Sequence, residues 1–197
     1  MKNRVVRFVG SLTLLGAIAV LVFGCKATGP RLSEPTTEYV SALTELGVEL
    51  VEGSEVEQNA LGGVIDLFSD FSHDPVAEKI HGVYAPTLFF RDGFKAFSSL
   101  DPLAEYMVES TKPLRSCRFE FAEPIRQGRD YYLRWTMTVS LNRDKPDYSE
   151  QVIGLSHLRF NAEGRVVFQQ DYWDPTDVLY RRIPVAGWMI DKVKERL

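Results

Sequence analysis

Residues 153–175 read IGLSHLRFNAEGRVVFQQDYWDP, and this stretch decides the fold. An apolar-rich strand ends at Phe160, residues 161–164 supply a turn, and a second strand runs from Arg165 to Trp173. Asn and Gly suit such a turn because they tolerate a positive φ at little steric cost. Side chains alternate across a strand, so one face is expected to carry Val167, Gln169, Asp171 and Trp173. The stretch therefore predicts a β-hairpin that carries a carboxylate beside a tryptophan.

Three β segments precede the hairpin. They are Thr87–Phe90, the stretch Cys117–Gln127 with a break at Pro124, and Tyr131–Leu141. The last of these alternates strictly, which predicts a half-buried strand. Its inner face would carry Tyr131, Leu133, Trp135, Met137 and Val139.

Helices dominate the first half of the globular part. One is expected to begin at Ser54, an N-cap residue with Glu57 three positions later. Asp74 is expected to cap a second helix over Pro75–Tyr84, and a third should cover Asp101–Thr111. Helices come first and an antiparallel meander follows, so the fold class is α+β.

The bulk composition indicates one globular domain with an appendage. The chain has 197 residues, of which 45% are hydrophobic, and its net charge is -4. Residues 1–24 hold three basic residues and no acid, so removing them leaves 20 basic and 27 acidic residues, a net charge of -7. An acidic body argues against nucleic acid as a partner. The only two cysteines, Cys25 and Cys117, give no disulfide framework, and Cys117 is expected to be a small buried side chain rather than a reactive thiol.

The N-terminus looks like a targeting segment. Lys2, Arg4 and Arg7 precede an apolar run from Phe8 to Phe23, and Gly24-Cys25 follows. This layout resembles a bacterial lipoprotein signal, which implies that Cys25 is lipidated and that the protein is held at the cell envelope, facing the periplasm or the exterior. The alternative is an uncleaved anchor over 1–24, because the run approaches the roughly 20 apolar residues that span a bilayer.

The segment after the signal divides the chain further. Residues 26–37 are rich in Gly, Pro, Ser and Thr and predict a flexible tether. Residues 38–52 predict a marginal short helix. The expected organisation is thus a signal or anchor over 1–24, a tether with a short helix over 25–53, and one domain over 54–197.

Two stretches carry a family resemblance. At Val83–Asp92 and at Ile153–Trp173 the chain resembles SnoaL-like and ketosteroid-isomerase-like proteins of the nuclear-transport-factor-2-like superfamily, over roughly Val56–Asp174. The resemblance implies a cone formed by a curved antiparallel sheet that N-terminal helices wrap. It also implies an apolar pocket between sheet and helices, and often a homodimer through the sheet.

The resemblance also assigns roles to single residues. By spacing from Tyr84, Asp92 stands where the isomerases have their general base, while Phe68 and Ser156 stand where they have oxyanion donors. Phe68 has no hydrogen to donate, and losing one such donor costs on the order of 100- to 1,000-fold in rate. Isomerisation by that route is therefore not expected.

Asp171 is the main candidate for acid–base chemistry. It fills a place similar to that of the general acid/base Asp of SnoaL-type cyclases, and Trp135, Trp173 and Met137 would raise its pKa by desolvating it. The alternative is that Asp171 caps a helix or pairs with Arg181 or Arg182.

Asp92 and His157 can also be read as structural rather than catalytic residues. For Asp92 the alternative to a catalytic role is a turn with Gly93. His157 is expected to face away from the pocket, as a packing or dimer-face residue rather than a base.

Three functions follow from these features. The first is a membrane-tethered module that binds a small apolar ligand or a partner protein, with a pocket lined by Phe68, Trp135, Met137, Ser156, Gln169 and Trp173. The second is a SnoaL-type isomerase or cyclase that uses Asp171, with Asp92, on a polyketide- or steroid-like substrate. The third is a structural subunit that only dimerises. The sequence shows no metal-ligand spacing, no phosphate loop and no nucleophile elbow, so no metal or other cofactor is expected.

Overall fold

The computed structural model of the protein describes residues 34–176, 178, 180 and 184–196. Its helices are α1 (Glu34–Glu45), α2 (Glu55–Ser69), α3 (His73–Val83), α4 (Leu100–Thr111) and α5 (Pro184–Lys194). Its strands are β1 (Tyr84–Arg91), β2 (Ala96–Ser99), β3 (Leu114–Phe121), β4 (Ile125–Gln127), β5 (Asp130–Leu141), β6 (Glu150–Phe160) and β7 (Val166–Trp173). The expected signal or anchor over 1–24, the lipidation site Cys25 and the first part of the tether lie outside the described residues. No helix among the described residues is long and apolar enough to cross a bilayer.

The strands form one curved, unclosed sheet, which confirms the α+β class and the expected cone. Within the described residues the order is β2-β1-β7-β6-β5-β3, and β4 pairs with β5 at the side of this path. All pairings are antiparallel except that of β1 with β7. The sequence predicted a wholly antiparallel sheet, and this parallel pair departs from it. Parallel neighbours need a long connecting segment, and here most of the domain lies between β1 and β7 and supplies it.

The hairpin of β6 and β7 forms as the sequence predicts. Its turn places Gly164 at φ +78°, a conformation that L side chains rarely adopt. The carboxamide oxygen of Asn161 accepts the N–H of Arg165 at 2.8 Å, and the N–H of Gly164 reaches Asn161 O at 3.0 Å. The turn residues therefore fix the register of the two strands that carry the site.

Two helix starts test the capping signals. Ser54 caps α2 as predicted, because its hydroxyl accepts the N–H of Glu57 at 3.2 Å while Glu57 reaches back to the N–H of Gly53 at 2.6 Å. The predicted start of α3 at Pro75 is wrong, since the helix already begins at His73. Pro75 fits there because the first-turn N–H groups of a helix have no intrahelical acceptor.

Other boundaries differ from the predictions. The expected tether extends too far, because α1 begins at Glu34, and the predicted helix over 38–52 ends earlier, at Glu45. Gly47 follows this helix at φ +85°. The strand expected at Thr87 begins at Tyr84, and β2 was not predicted at all. Pro124 separates β3 from β4, as the break in the pattern suggested.

The two faces of the sheet are covered differently. Helices α2, α3 and α4 pack on the inner face, where the predicted row on β5 is buried. On the outer face, residues 39–46, which are the C-terminal part of α1 and the residue after it, cover β1 and β7, with Tyr39 packed against Phe89 and Phe168. Arg159 holds the end of that helix by donating to the carbonyl oxygens of Leu43 and Leu46. The cavity described next lies on the inner side.

Candidate functional site

An apolar cavity of about 260 Å³ lies between the inner face of the sheet and the helices α2 and α4. Aromatic side chains from nearly every bordering element form its walls: Phe68, Phe71, Phe90, Phe94, Tyr106, Phe119, Phe121, Trp135 and Trp173. Met107, Cys117, Met137 and Val178 fill the gaps between them. The polar side chains of the lining are few: Asp92, Ser110, Ser156, Gln169 and Asp171. A largely apolar cavity with a few convergent polar groups is typical of a small-molecule site.

Asp171 projects into this cavity from β7. Alternation along the strand places it on the inner face with Gln169 and Trp173, as predicted. Its Oδ1 accepts the hydroxyl of Ser156 at 2.6 Å and the carboxamide of Gln169 at 2.9 Å. Among the described residues, its Oδ2 receives only a longer contact of 3.2 Å from Gln169, so Oδ2 is the oxygen with the most capacity left for a ligand.

Two buried donors fix the groups that bind Asp171. The indole N–H of Trp135 donates to Ser156 Oγ at 2.9 Å, so the Ser156 hydrogen is left to point at Asp171. The hydroxyl of Tyr84 donates to Gln169 Oε1 at 2.7 Å, which orients the Gln169 carboxamide with its NH₂ toward Asp171. The carboxylate therefore sits at the end of two hydrogen-bond chains with defined polarity.

The surroundings raise the pKa of Asp171 from 3.8 to about 7. Burial in the apolar cavity is the largest cause, and the negative charge of Asp92 acts in the same direction. The hydrogen bonds from Ser156 and Gln169 oppose the rise because they stabilise the ionised form. A carboxyl group that titrates near neutral pH can give or take a proton there.

Asp92 lies at the same cavity but is bound differently. Its Oδ1 accepts the N–H groups of Phe94 and Lys95 at 2.7 and 2.8 Å, which confirms the predicted turn role. Its Oδ2 accepts the hydroxyl of Tyr106 at 2.6 Å, and burial together with this bond raises the pKa of Tyr106. Asp92 is thus a structural anchor that also places a second negative charge beside Asp171.

The structure brings the sequence-predicted residues to one place. The two candidate acids and all six predicted lining residues border the cavity: Asp92, Asp171, Phe68, Trp135, Met137, Ser156, Gln169 and Trp173. The Ser156 hydroxyl donates its hydrogen to Asp171, and the Phe68 side chain has no donor. Neither residue is therefore an oxyanion donor. The proposed pairing of Asp171 with the arginines at 181–182 lies outside the described residues.

Several residues of the site were not predicted as such. Tyr106, Phe71, Phe119 and Phe121 complete the aromatic walls. Tyr106 sits at helical spacing from Leu103, but this spacing does not indicate the hydrogen bond to Asp92. Gly154 was missed because its role is spatial: a Cβ there would lie 2.2 Å from the Trp135 ring.

His157 and Cys117 have structural roles. His157 points away from the cavity as predicted, stacks on Tyr132 and bonds to the Asp130 carboxylate at 2.5 Å, so it is buried within the chain. Burial raises the pKa of the Cys117 thiol to about 12, which keeps it protonated and unreactive. Among the described residues, no cluster of His, Cys, Asp or Glu side chains is placed to hold a metal ion.

Comparisons with known proteins identify the fold. No protein-family model matches the chain, and no curated protein matches it. Solved structures do. A candidate SnoaL-like polyketide cyclase from Jannaschia superposes with a TM-score of 0.54 at 12% identity, covering 66% of this chain and 95% of that one. The chain has the nuclear-transport-factor-2-like fold.

Two other neighbours show how varied this fold is. An epoxide hydrolase of the LEH-like type from M. tuberculosis has a TM-score of 0.50 at 11% identity, covering 62% of this chain and 85% of its own. A ketosteroid-isomerase-like protein from Catenulispora acidiphila, in complex with trimethylamine, has a TM-score of 0.52 at 11% identity, covering 61% and 88%. At these sequence identities the structural similarity establishes the fold only, and any chemistry has to be argued from the residues of the site.

Proposed function

We propose that this protein binds a small, largely apolar molecule in the cavity. The cavity itself carries this proposal: about 260 Å³ of space is walled by aromatic and Met side chains and has few polar groups. The neighbours' names include a polyketide cyclase, an epoxide hydrolase and a trimethylamine complex, so the fold leaves the class of ligand open.

A neutral fluorescent probe tests binding. N-phenyl-1-naphthylamine brightens in apolar surroundings, and we expect saturable binding to the wild type. Ser110 lines the cavity and bonds only to a carbonyl of its own helix, so Ser110→Phe fills the space and should weaken binding at least about tenfold. Ser116→Phe, at an exposed position on β3, is the matched control and should bind as the wild type does. Equal affinity in Ser110→Phe would place the probe elsewhere and contradict the proposal.

The second candidate function is proton transfer by Asp171. One observation favours it: a carboxyl group with a pKa of about 7 faces the cavity with Oδ2 lightly bonded. Such a group is a general acid or base at neutral pH. The natural substrate would then be one of the polyketide-, steroid- or epoxide-like molecules that carry a labile proton or a strained oxygen.

The Kemp elimination of 5-nitrobenzisoxazole tests this base without knowledge of the substrate. The Asp171 carboxylate would remove the ring C–H proton, the N–O bond would break, and the electron pair would end on the phenolate oxygen of 2-cyano-4-nitrophenolate. Activity should rise with pH to a plateau with a midpoint near pH 7. Asp171→Asn should lose it, whereas Asp147→Asn, on an exposed loop, should keep it. Undiminished activity in Asp171→Asn would exclude Asp171 as the base.

We also propose that the protein is tethered to the cell envelope through lipidated Cys25, facing the periplasm or the exterior. The basic residues before an apolar run and the Gly24-Cys25 pair support this reading. Labelling with a palmitate analogue should disappear in Cys25→Ser. Unchanged labelling with retention in the membrane would favour the uncleaved anchor instead.

The outer face of the sheet supports a homodimer. Ile153 and Tyr172 lie on the face opposite the cavity and are 77% and 47% exposed. A second copy would cover this apolar surface. Sedimentation should show a dimer that Ile153→Asp dissociates, and a monomeric wild type would contradict the proposal.

A further inference from the structure

The polar groups of the cavity have an unusual bias toward acceptors. Four side chains that line it direct their donors to protein acceptors: Ser110 to Met107 O, Tyr106 to Asp92, Ser156 to Asp171, and Gln169 to Asp171. The indole N–H of a fifth, Trp135, is bonded to Ser156. What these groups leave for a ligand is the acceptor capacity of the two carboxylates.

Trp173 Nε1 lies at the turn after β1, within 3.3 Å of the position that a Cβ on Gly93 would take. Beside ionised Asp171, a ligand carbonyl, carboxylate or phosphate would meet carboxylate oxygens rather than donors. Burying such a group without a donor is costly.

The charge of the lining has the same bias. Asp92 and Asp171 are acidic, and the described residues that border the cavity include no Lys, Arg or His. The negative charge of Asp92 already acts on Asp171, and burial makes the ionised form of Asp171 costly. An organic cation would relieve both effects, because it supplies the missing opposite charge.

The aromatic walls complete the site. The faces of Trp and Phe rings carry negative potential and attract ammonium groups, and quaternary ammonium ligands are often recognised by cages of such rings. Trp135 and Trp173 stand 6.5 Å apart, centroid to centroid, and Phe119 contacts Trp135 at 5.1 Å. These rings share the inner face with Asp171.

We infer that the cavity selects a small organic cation, an alkyl- or aryl-substituted ammonium, whose charge lies against the carboxylate of Asp171 with that of Asp92 nearby and whose apolar groups contact the aromatic walls. This inference rests on the proposed ligand-binding function and narrows it to a chemical class. With Asp171 ionised, it separates the site from those that polarise a carbonyl oxygen, for which donors would be required.

Affinity for the cation should depend on pH through Asp171. The titratable groups that interact with Asp171 are Asp92 on the turn after β1, Tyr84 at the start of β1 and Tyr106 on α4. Cys117 on β3 also borders the cavity, and the Lys95 ammonium lies 4.8 Å from the Tyr106 ring. Burial raises the pKa of both tyrosines and of the cysteine, so these three groups stay protonated near neutral pH, where Asp171 changes charge.

The test compares isosteric probes on the full-length protein. Benzyltrimethylammonium and neopentylbenzene have the same shape and differ by one positive charge, and benzoate supplies the opposite charge. At about pH 8 the cation should bind at least about tenfold more tightly than neopentylbenzene, and benzoate should bind more weakly than either. Because ionised Asp171 attracts the cation more strongly than the neutral acid does, the affinity for the cation should fall by up to about tenfold between about pH 8 and pH 6.

Two variants and a neutral probe make the outcome decisive. Asp171→Asn keeps the shape of the side chain and should abolish the pH dependence and most of the preference for the cation, while N-phenyl-1-naphthylamine still binds. Neopentylbenzene binding as tightly as the cation, or tight benzoate binding that Arg181→Gln/Arg182→Gln removes, would overturn the inference while the ligand-binding function stands. Failure of N-phenyl-1-naphthylamine and of all three test probes to bind would overturn both.

Discussion

Replacing Asp171 with Asn should make the protein more stable at high pH and leave its stability little changed at low pH. The carboxyl group has a pKa of about 7 in the folded protein and about 4 when unfolded. Between these values the unfolded state loses the proton first, so the stability of the wild type falls as pH rises from about 4 to about 7 and is level above that.

The magnitude follows from the size of the pKa difference. One pKa unit corresponds to about 1.4 kcal/mol, so a rise from 3.8 to about 7 sets an upper bound of about 4 kcal/mol. Asp171 keeps part of its surface open to the cavity, and solvent there reduces the penalty, so a gain of roughly 2 to 4 kcal/mol is expected. Asn retains an oxygen that can accept from Ser156 and Gln169, which limits the cost of the substitution.

The assay is urea unfolding followed by tryptophan fluorescence at several pH values from about 4 to about 8. The difference in the free energy of unfolding between Asp171→Asn and the wild type should grow over that range and then level off. Asp147→Asn is the control for an exposed acid and should show no such slope. A difference that stays constant with pH would refute the reasoning, because it would mean that Asp171 ionises in the folded state as it does in water.

Two other substitutions probe the neighbourhood of Asp171. Asp92→Asn removes a negative charge that raises the pKa of Asp171, so the pH midpoint of the Kemp elimination should move down, and a midpoint that stays in place or moves up would count against this coupling. Gly154→Ala places a Cβ 2.2 Å from the Trp135 ring and should destabilise the protein by about 1–3 kcal/mol in urea unfolding. Gly62→Ala, in α2 with open space at the same position, should instead stabilise it by about 0.5–1 kcal/mol, and equal effects of the two would contradict the packing account.

Much of the fold could be predicted because local sequence patterns, such as alternation, turn residues and helix caps, determine it. The β6–β7 hairpin follows from alternation on both sides of a turn with Asn161 and Gly164. The buried row on β5 follows from strict alternation over a long strand. The start of α2 follows from the reciprocal bonds around Ser54.

The missed elements lack such local signals. Strand β2 is short and mostly exposed, and it exists because it pairs with β1 at the edge of the sheet. The start of α1 at Glu34 lies in a Pro-containing stretch that composition alone assigns to a tether. Tertiary pairing decides both, and a single sequence does not display it.

The candidate site divides in the same way. Alternation along β7 placed Gln169, Asp171 and Trp173 on one face, which is correct. The bond from Tyr84 to Gln169 joins residues 85 positions apart, and the bond from Tyr106 to Asp92 joins a helix to a turn. Because of these contacts, the hydroxyl donors of Tyr84 and Tyr106 are already bonded to protein acceptors. Only the folded structure reveals these contacts.

The most direct test of the account is the pKa of Asp171 itself, measured by ¹³C NMR titration of the carboxyl carbon in aspartate-labelled protein. The Asp171→Asn variant identifies the signal. The account predicts a midpoint near 7 that falls when benzyltrimethylammonium is bound, because the cation favours the ionised carboxylate. A midpoint near 4, unchanged by the cation, would show that the carboxylate is an ordinary solvated acid and would contradict the account.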